Sequence, residues 1–202
     1  MKIKNLAPQD SIGVVLAQTY NLPGKIISKG TFVTNEVVGY FKTGNVKTIL
    51  CAVPEEGDIH EDEAAEAISS AIDKNHIYAD KASTGRVNFK SQSLCLVRYD
   101  RDFIKEVNLV DESIAFSIVE HNQLLAEGDL IATLKIIPFF MQKKYVDRVI
   151  KILAKDELFK IHSLKKKEVT LIQTCFEWQK KSIFTATSNV TKARLEALGC
   201  SL

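Results

Sequence analysis

Residues 131–140 read IATLKIIPFF, ten residues that carry one charge, Lys135. Taking an ammonium out of water costs several kcal/mol unless it is paired or neutralised, so this lysine cannot lie alone in a core. As a strand of period two, the run puts Ile131, Thr133, Lys135 and Ile137 on one face. Ala132, Leu134, Ile136 and Pro138 fall on the other. The first face is mixed, with a hydroxyl two positions from the ammonium, and suits a half-wet sheet surface. There Lys135 has two uses, a salt bridge with some Asp or Glu or a contact with an anion, and the sequence favours the salt bridge.

The run closes a longer stretch with the same character. TGRVNF, SLCLVRY, SIAFSIVE and DLIATLKIIPFF follow one another between residues 84 and 140, separated by turn material such as AEGD at 126–129. Helical periodicity flanks these strands. Thr34 is placed to cap a helix whose Val37, Val38 and Phe41 share a face and which Gly44 ends in a left-handed turn. A β-branched strand is expected over 46–53. Asp58 with Glu61 then resembles a capping box ahead of the stripe Ala64, Ala65, Ile68 and Ile72. His60, Glu61 and Glu63 carry ligand atoms, but neighbours on a helix point apart, so a helix start is expected here and no metal site. A short helix is expected around DRDFIKEVN. QKKYVDRVIKILAKD sets Tyr145, Val149, Ile152 and Leu153 against lysines.

The fold class that follows is α+β: mixed, mostly antiparallel β domains with flanking helices, then the first strand and helix of an α/β domain. The divisions expected are an α+β subdomain over 1–80, a β-rich subdomain over 81–164, and the start of an α/β unit over 165–202. Lys165–Lys167 reads as a solvated junction, with an anion patch as the lesser alternative. A strand at 169–174 and a helix at about 188–198 make half of a βαβ unit, whose second strand belongs beyond Leu202. The chain thus reads as cut short, and the open edge predicts a homo-oligomer.

A chain of 202 residues, 46% of them hydrophobic, can bury a core in one or two domains. Its 27 basic and 25 acidic residues leave +2, a balance that argues against a general binder of nucleic acid or membrane. No apolar run is long enough to span a bilayer, and MKIKNLAPQDSIG shows no secretory core. Cys51, Cys95, Cys175 and Cys200 are widely spaced, and the first three lie in or beside apolar segments. They read as packed thiols in a reducing cytoplasm.

No catalytic constellation is visible, and the four histidines show no ligand spacing. The strongest polar cluster is STGRVNF at 83–89. Thr84 and Gly85 can turn the chain sharply, Arg86 offers a fork of donors, and Asn88 projects on the same side of a strand as Arg86. A loop arginine paired with a nearby acid is the more ordinary reading of Arg86.

Four stretches taken together, SKGTFVTNEVVGYFKTGNVKTI, GDIHEDEAAEAIS, TGRVNF and LIATLKIIPFF, resemble the N-terminal part of bacterial molybdopterin-binding proteins. These are relatives of the molybdopterin molybdenumtransferase group. EVTLIQT with TKARLEALG resembles the start of the molybdenum-cofactor-biosynthesis domain, an α/β sandwich. The Gly- and Ser-rich loops and aspartate that hold molybdopterin in that domain are not in this sequence, and TCFEWQKKSIF lacks a glycine where phosphate would approach. The resemblance implies a module for molybdopterin binding or molybdenum-cofactor biosynthesis, with a pterin or nucleotide-linked pterin as partner. In such a module Thr84, Gly85, Arg86, Asn88 and Lys135 would contribute to an anionic pterin site or the dimer interface beside it. The alternative is a non-catalytic structural or oligomerisation module, with the cofactor site elsewhere in the parent protein.

Overall fold

The computed structural model describes residues 1–202. In chain order the elements are β1 (Lys2–Leu6), a 3-10 turn (Pro8–Asp10), β2 (Val15–Leu16), β3 (Tyr20–Leu22), β4 (Lys25–Ile27), α1 (Asn35–Thr43), β5 (Ile49–Val53) and β6 (Asp58–His60). Then come α2 (Glu61–Ser70), β7 (Ile77–Ala79), β8 (Arg86–Ser91), β9 (Cys95–Arg98), α3 (Arg101–Asn108), β10 (Ile114–Ile118) and β11 (Leu124–Leu125). The last are β12 (Leu130–Ile136), β13 (Phe140–Gln142), α4 (Lys143–Leu153), β14 (Lys160–Ser163) and α5 (Lys181–Ala197). Every strand pairing is antiparallel, and the architecture is α+β. No helix is long and apolar enough to cross a membrane.

Two cores organise these elements. The smaller lies between the sheet β1-β5-β2 and α1, and buries Leu16, Ile27, Val38, Phe41, Ile49 and Cys51. Thr34 caps α1 as expected, its hydroxyl accepting from the Val37 N–H at 3.3 Å. Gly44 ends the helix without the expected left-handed turn: its φ is −78°, and Asn45 at φ +56° makes the reversal instead. Asparagine tolerates that region because its short amide can bond locally. The strand expected at 46–53 starts only at Ile49, after this turn.

The larger core lies under the four-stranded sheet β10-β12-β8-β7. Val87, Phe89, Leu134 and Ile136 point inward from β8 and β12 toward α2, while α3 packs on β10 and α4 on α2 and α3. Phe89 sits 6.0 Å from Phe116 and 6.2 Å from Phe159, ring to ring. Residues 61–79, grouped with the first sixty on pattern alone, contribute Ala64, Ala65, Ile68, Ile72 and Ile77 to this core. The opposite face of the sheet is the mixed one, with Thr133 and Lys135 half-buried. Ile131 departs from the expected alternation and is fully buried. The β8–β12 register slips between Leu130 and Ala132, and a bulge there turns two successive side chains inward.

The apolar run of 131–140 does not continue as one strand. It breaks at residues 137–139, and β13 then pairs with β6 in a separate ribbon. Pro138, with no N–H to donate, stands at the break. Phe140 packs with Val15 and Ala52 in a small cluster that joins the two cores.

The C-terminal unit differs most from expectation. The segment 169–174 forms no strand ladder; a single parallel bridge links Glu168 to Ser201. α5 begins at Lys181, seven residues before the expected start, and none of its residues is buried. Gln173 holds it, donating to the Phe184 carbonyl at 3.2 Å and the Ser188 hydroxyl at 2.8 Å. Cys51 and Cys95 are buried as expected, whereas Cys175 is exposed because its apolar neighbours face outward with it.

A candidate ligand hollow between the two cores

A two-residue hairpin opens β8. Ser83 and Arg86 exchange both backbone hydrogen bonds at 3.1 Å, and the residues between them, Thr84 and Gly85, have φ of +50° and +69°. Positive φ at both central positions is the turn that suits the twist of a hairpin. Glycine adopts it freely; a β-branched threonine does so only under strain. The surroundings hold the turn in place. Asp62 accepts the Gly85 N–H at 2.6 Å, Lys135 donates to the Thr84 carbonyl, and the Ile136 N–H donates to the Gly85 carbonyl at 2.7 Å.

Lys135 therefore has its partner. Its ammonium lies 3.4 Å from a carboxylate oxygen of Glu61, at the first position of α2, and Glu61 is only 7% exposed. Burial pushes the Glu61 carboxyl above its ordinary value of 4.5, and Lys135 opposes that shift without cancelling it. The Glu61 N–H donates to the Phe139 carbonyl at 2.9 Å, tying the start of α2 to the break after β12.

The expected capping box is not what starts this helix. His60 is the N-cap, its Nδ1 accepting from the Asp62 N–H at 3.2 Å. With Nδ1 engaged as an acceptor, the proton of the neutral ring resides on Nε2. Asp58 lies on β6 instead. The α-amino group of Met1 stands 2.7 Å from its carboxylate, and strand pairing fixes Asp58 too early to reach the helix.

Around this knot lies a hollow of about 880 Å³, walled by both halves of the molecule. Lys29 and Phe32 come from the first half; His60, Glu61, Lys135 and Phe139 come from the second. The Lys29 ammonium lies 5.3 Å from the centre of the Phe139 ring, and Phe32 stacks obliquely on His60 at 4.8 Å. The wall is aromatic and aliphatic, with two ammonium groups and the first turn of α2 at its polar end. The carboxylates of Glu61 and Asp62 lie at the same end, so the hollow offers apolar faces for a flat ring and groups of both signs for its polar substituents.

Of the five residues singled out from the sequence, Lys135 and Thr84 line the hollow. Gly85 supports it from behind: a Cβ there would fall 2.6 Å from both Glu61 Oε2 and the Ile136 carbonyl. Arg86 faces Lys135 directly across β8 and β12, on the same side of the sheet, but it is exposed and outside the hollow. Nor does it form an ion pair, contrary to the ordinary reading of a loop arginine. Asn88 is committed elsewhere, accepting from Thr133 at 3.0 Å and donating to Asp80 at 3.3 Å. Lys29, Phe32, His60, Glu61 and Phe139 were not expected at this site. The one available signal was that Lys135 needed a carboxylate; nothing in the pattern said it would come from 74 residues upstream.

No family model, curated protein or solved structure matches the chain.

The knot makes two predictions. Gly85→Ala forces a Cβ into Glu61 and the Ile136 carbonyl at a positive φ, and is expected to cost about 1–3 kcal/mol in urea denaturation. The second concerns pH. Glu61 keeps its proton to higher pH folded than unfolded, so its contribution to stability is fully present below 4.5 and declines as pH rises through the folded value. Relative to Glu61→Gln, the unmodified protein should therefore lose stability as pH is raised from 4.5 through that window, as read by denaturation at a series of pH values.

Proposed function

We propose that this chain is a binding module for a molybdopterin-type cofactor, held in the hollow at the start of α2. One observation supports the reading above others: Lys135 and Lys29 lie on an aromatic-walled hollow of about 880 Å³, within the ordinary size of a small-molecule site. A pterin is flat and would lie against Phe32 and Phe139. Its phosphate would take Lys135 and Lys29. The resemblance of GDIHEDEAAEAIS, TGRVNF and LIATLKIIPFF supports the same place, since His60, Glu61, Thr84, Lys135 and Phe139 all come from those stretches and line it. Glu61 fits such a guest as a counterweight that keeps Lys135 extended until an anion arrives. Arg86, directly opposite Lys135 in the sheet and unpaired, lies at the margin for a longer, nucleotide-linked form.

Titration with molybdopterin or an adenylated analogue tests this, read by calorimetry. Lys135→Ala is expected to weaken binding at least about tenfold, roughly 1.4 kcal/mol, and Arg86→Ala by less. Because Lys135→Ala strands the buried Glu61, the same comparison belongs in a Glu61→Gln background, where the fold keeps no unpaired charge. Absence of binding by the unmodified chain would overturn the reading.

A second reading, a self-associating structural module, has its own observation. Ile172, Phe176 and Trp178 are 84%, 67% and 79% exposed beside α5, and Ile183 and Val190 on α5 are also exposed. Apolar surface gathered in one unit marks an interaction site. Light scattering after size exclusion should then give a mass above the 22.6 kDa of one chain, reduced by Trp178→Ser. A monomer at all concentrations would remove this reading and leave the first untouched.

A further inference from the structure

The outer face of the three-stranded sheet β11-β9-β14 carries an arrangement that the hollow does not use. Arg98 on β9 and Lys160 on β14 are directly opposed in register. Like charges on one rung repel and cost stability. Elsewhere in this protein, lysines near carboxylates find them: Lys90 pairs with Asp80 at 2.9 Å and Lys155 with Glu106 at 2.7 Å. Arg98 and Lys160 pair with nothing, although Asp100, Asp156 and Glu157 line the same depression.

Two of those carboxylates are engaged locally, and Glu157 is not. Asp100 caps α3, accepting from the Asp102 N–H at 2.8 Å, and Asp156 accepts from the Glu157 N–H at 2.8 Å. Two histidines complete the depression, which encloses about 540 Å³. His121 Nδ1 accepts the Tyr99 N–H at 3.3 Å, which leaves Nε2–H as its free donor. His162, two residues along β14 from Lys160, lies on the same sheet face. These histidines and carboxylates do not gather into a metal-holding group. What the depression brings together, beside its three carboxylates, is a guanidinium and an ammonium on one rung with imidazole N–H near them.

We propose that this depression is a second anion site, which takes the phosphate group of a small phosphorylated molecule between Arg98 and Lys160. A phosphate has three oxygens for donors on different strands, and an arginine meets two of them at once. Its negative charge relieves the repulsion on the rung. Glu157, with no hydrogen bond on its carboxylate, is the acceptor for a hydroxyl or amine on the organic part of the ligand. The site lies apart from the hollow at α2, shares no residue with it, and does not depend on the identity of that ligand.

The test is a titration of the isotopically labelled full chain with inorganic phosphate, followed by amide chemical shifts, with Arg98→Gln, Lys160→Gln and, as a control at an exposed lysine elsewhere, Lys47→Ala alongside. Both glutamine substitutions fall on exposed positions and should leave the fold intact, which the rest of the amide spectrum reports. The expected result is saturable, millimolar binding that shifts residues 98, 121, 160 and 162, weakened about tenfold or more by each glutamine variant and unchanged by Lys47→Ala. Adenosine monophosphate against adenosine is the second arm: shifts at these residues with the nucleotide and none with the nucleoside place the phosphate there. Unsaturated shifts, or shifts that persist equally in both glutamine variants, would overturn the site.

Discussion

The contact between Lys135 and Glu61 is the point on which the rest of this molecule is hung. It joins the middle strand of the larger sheet to the first residue of α2. The same ammonium reaches the Thr84 carbonyl, so the β8 hairpin is caught in the same grip. Asp62 completes it from the neighbouring helix position, through the Gly85 N–H. A carboxylate so deeply covered would be costly if left alone, and the ammonium makes its burial tolerable. Three elements remote in sequence are thereby fixed relative to one another at the edge of the hollow.

Much of this could be read from the sequence wherever a local rule operated. Thr34 capped its helix, the stripe from Ala64 to Ile72 went inward, and the antiparallel strands fell near their expected places. The readings that failed were settled by tertiary geometry. Asp58 has the right spacing for a capping box, but the pairing of β6 with β13 sets it one strand too early, and His60 takes the position. The bulge beside Ile131 reversed a face that strict alternation assigns to the polar side. At the C-terminus, β-branched residues in 169–174 imply a strand, but a ladder needs a run of partner residues, and the only bridge formed is that of Glu168 to Ser201.

The candidate site shows the same division. Lys135 announced itself because a charge in an apolar run contradicts its surroundings, and Thr84–Gly85 because turn chemistry is local. Glu61 gave no such signal, since an acidic residue in the first turn of a helix is ordinary. Lys29, Phe32 and Phe139 were hidden for another reason. They come together only because Phe140, Val15 and Ala52 dock the smaller core against the larger, and a contact between distant segments leaves no periodicity. Arg86 was singled out for its own chemistry, and that chemistry remains uncommitted in the fold.

One feature of the backbone reaches beyond the site itself. The three residues at 137–139, where β12 ends and β13 has yet to begin, form one wall of the hollow, and Phe140 just after them packs against Val15 and Ala52 of the smaller half. A guest lodged there would touch both halves at once. Its contacts would add to those of Phe140, Val15 and Ala52, so filling the space would also tighten the seam that holds the two cores together.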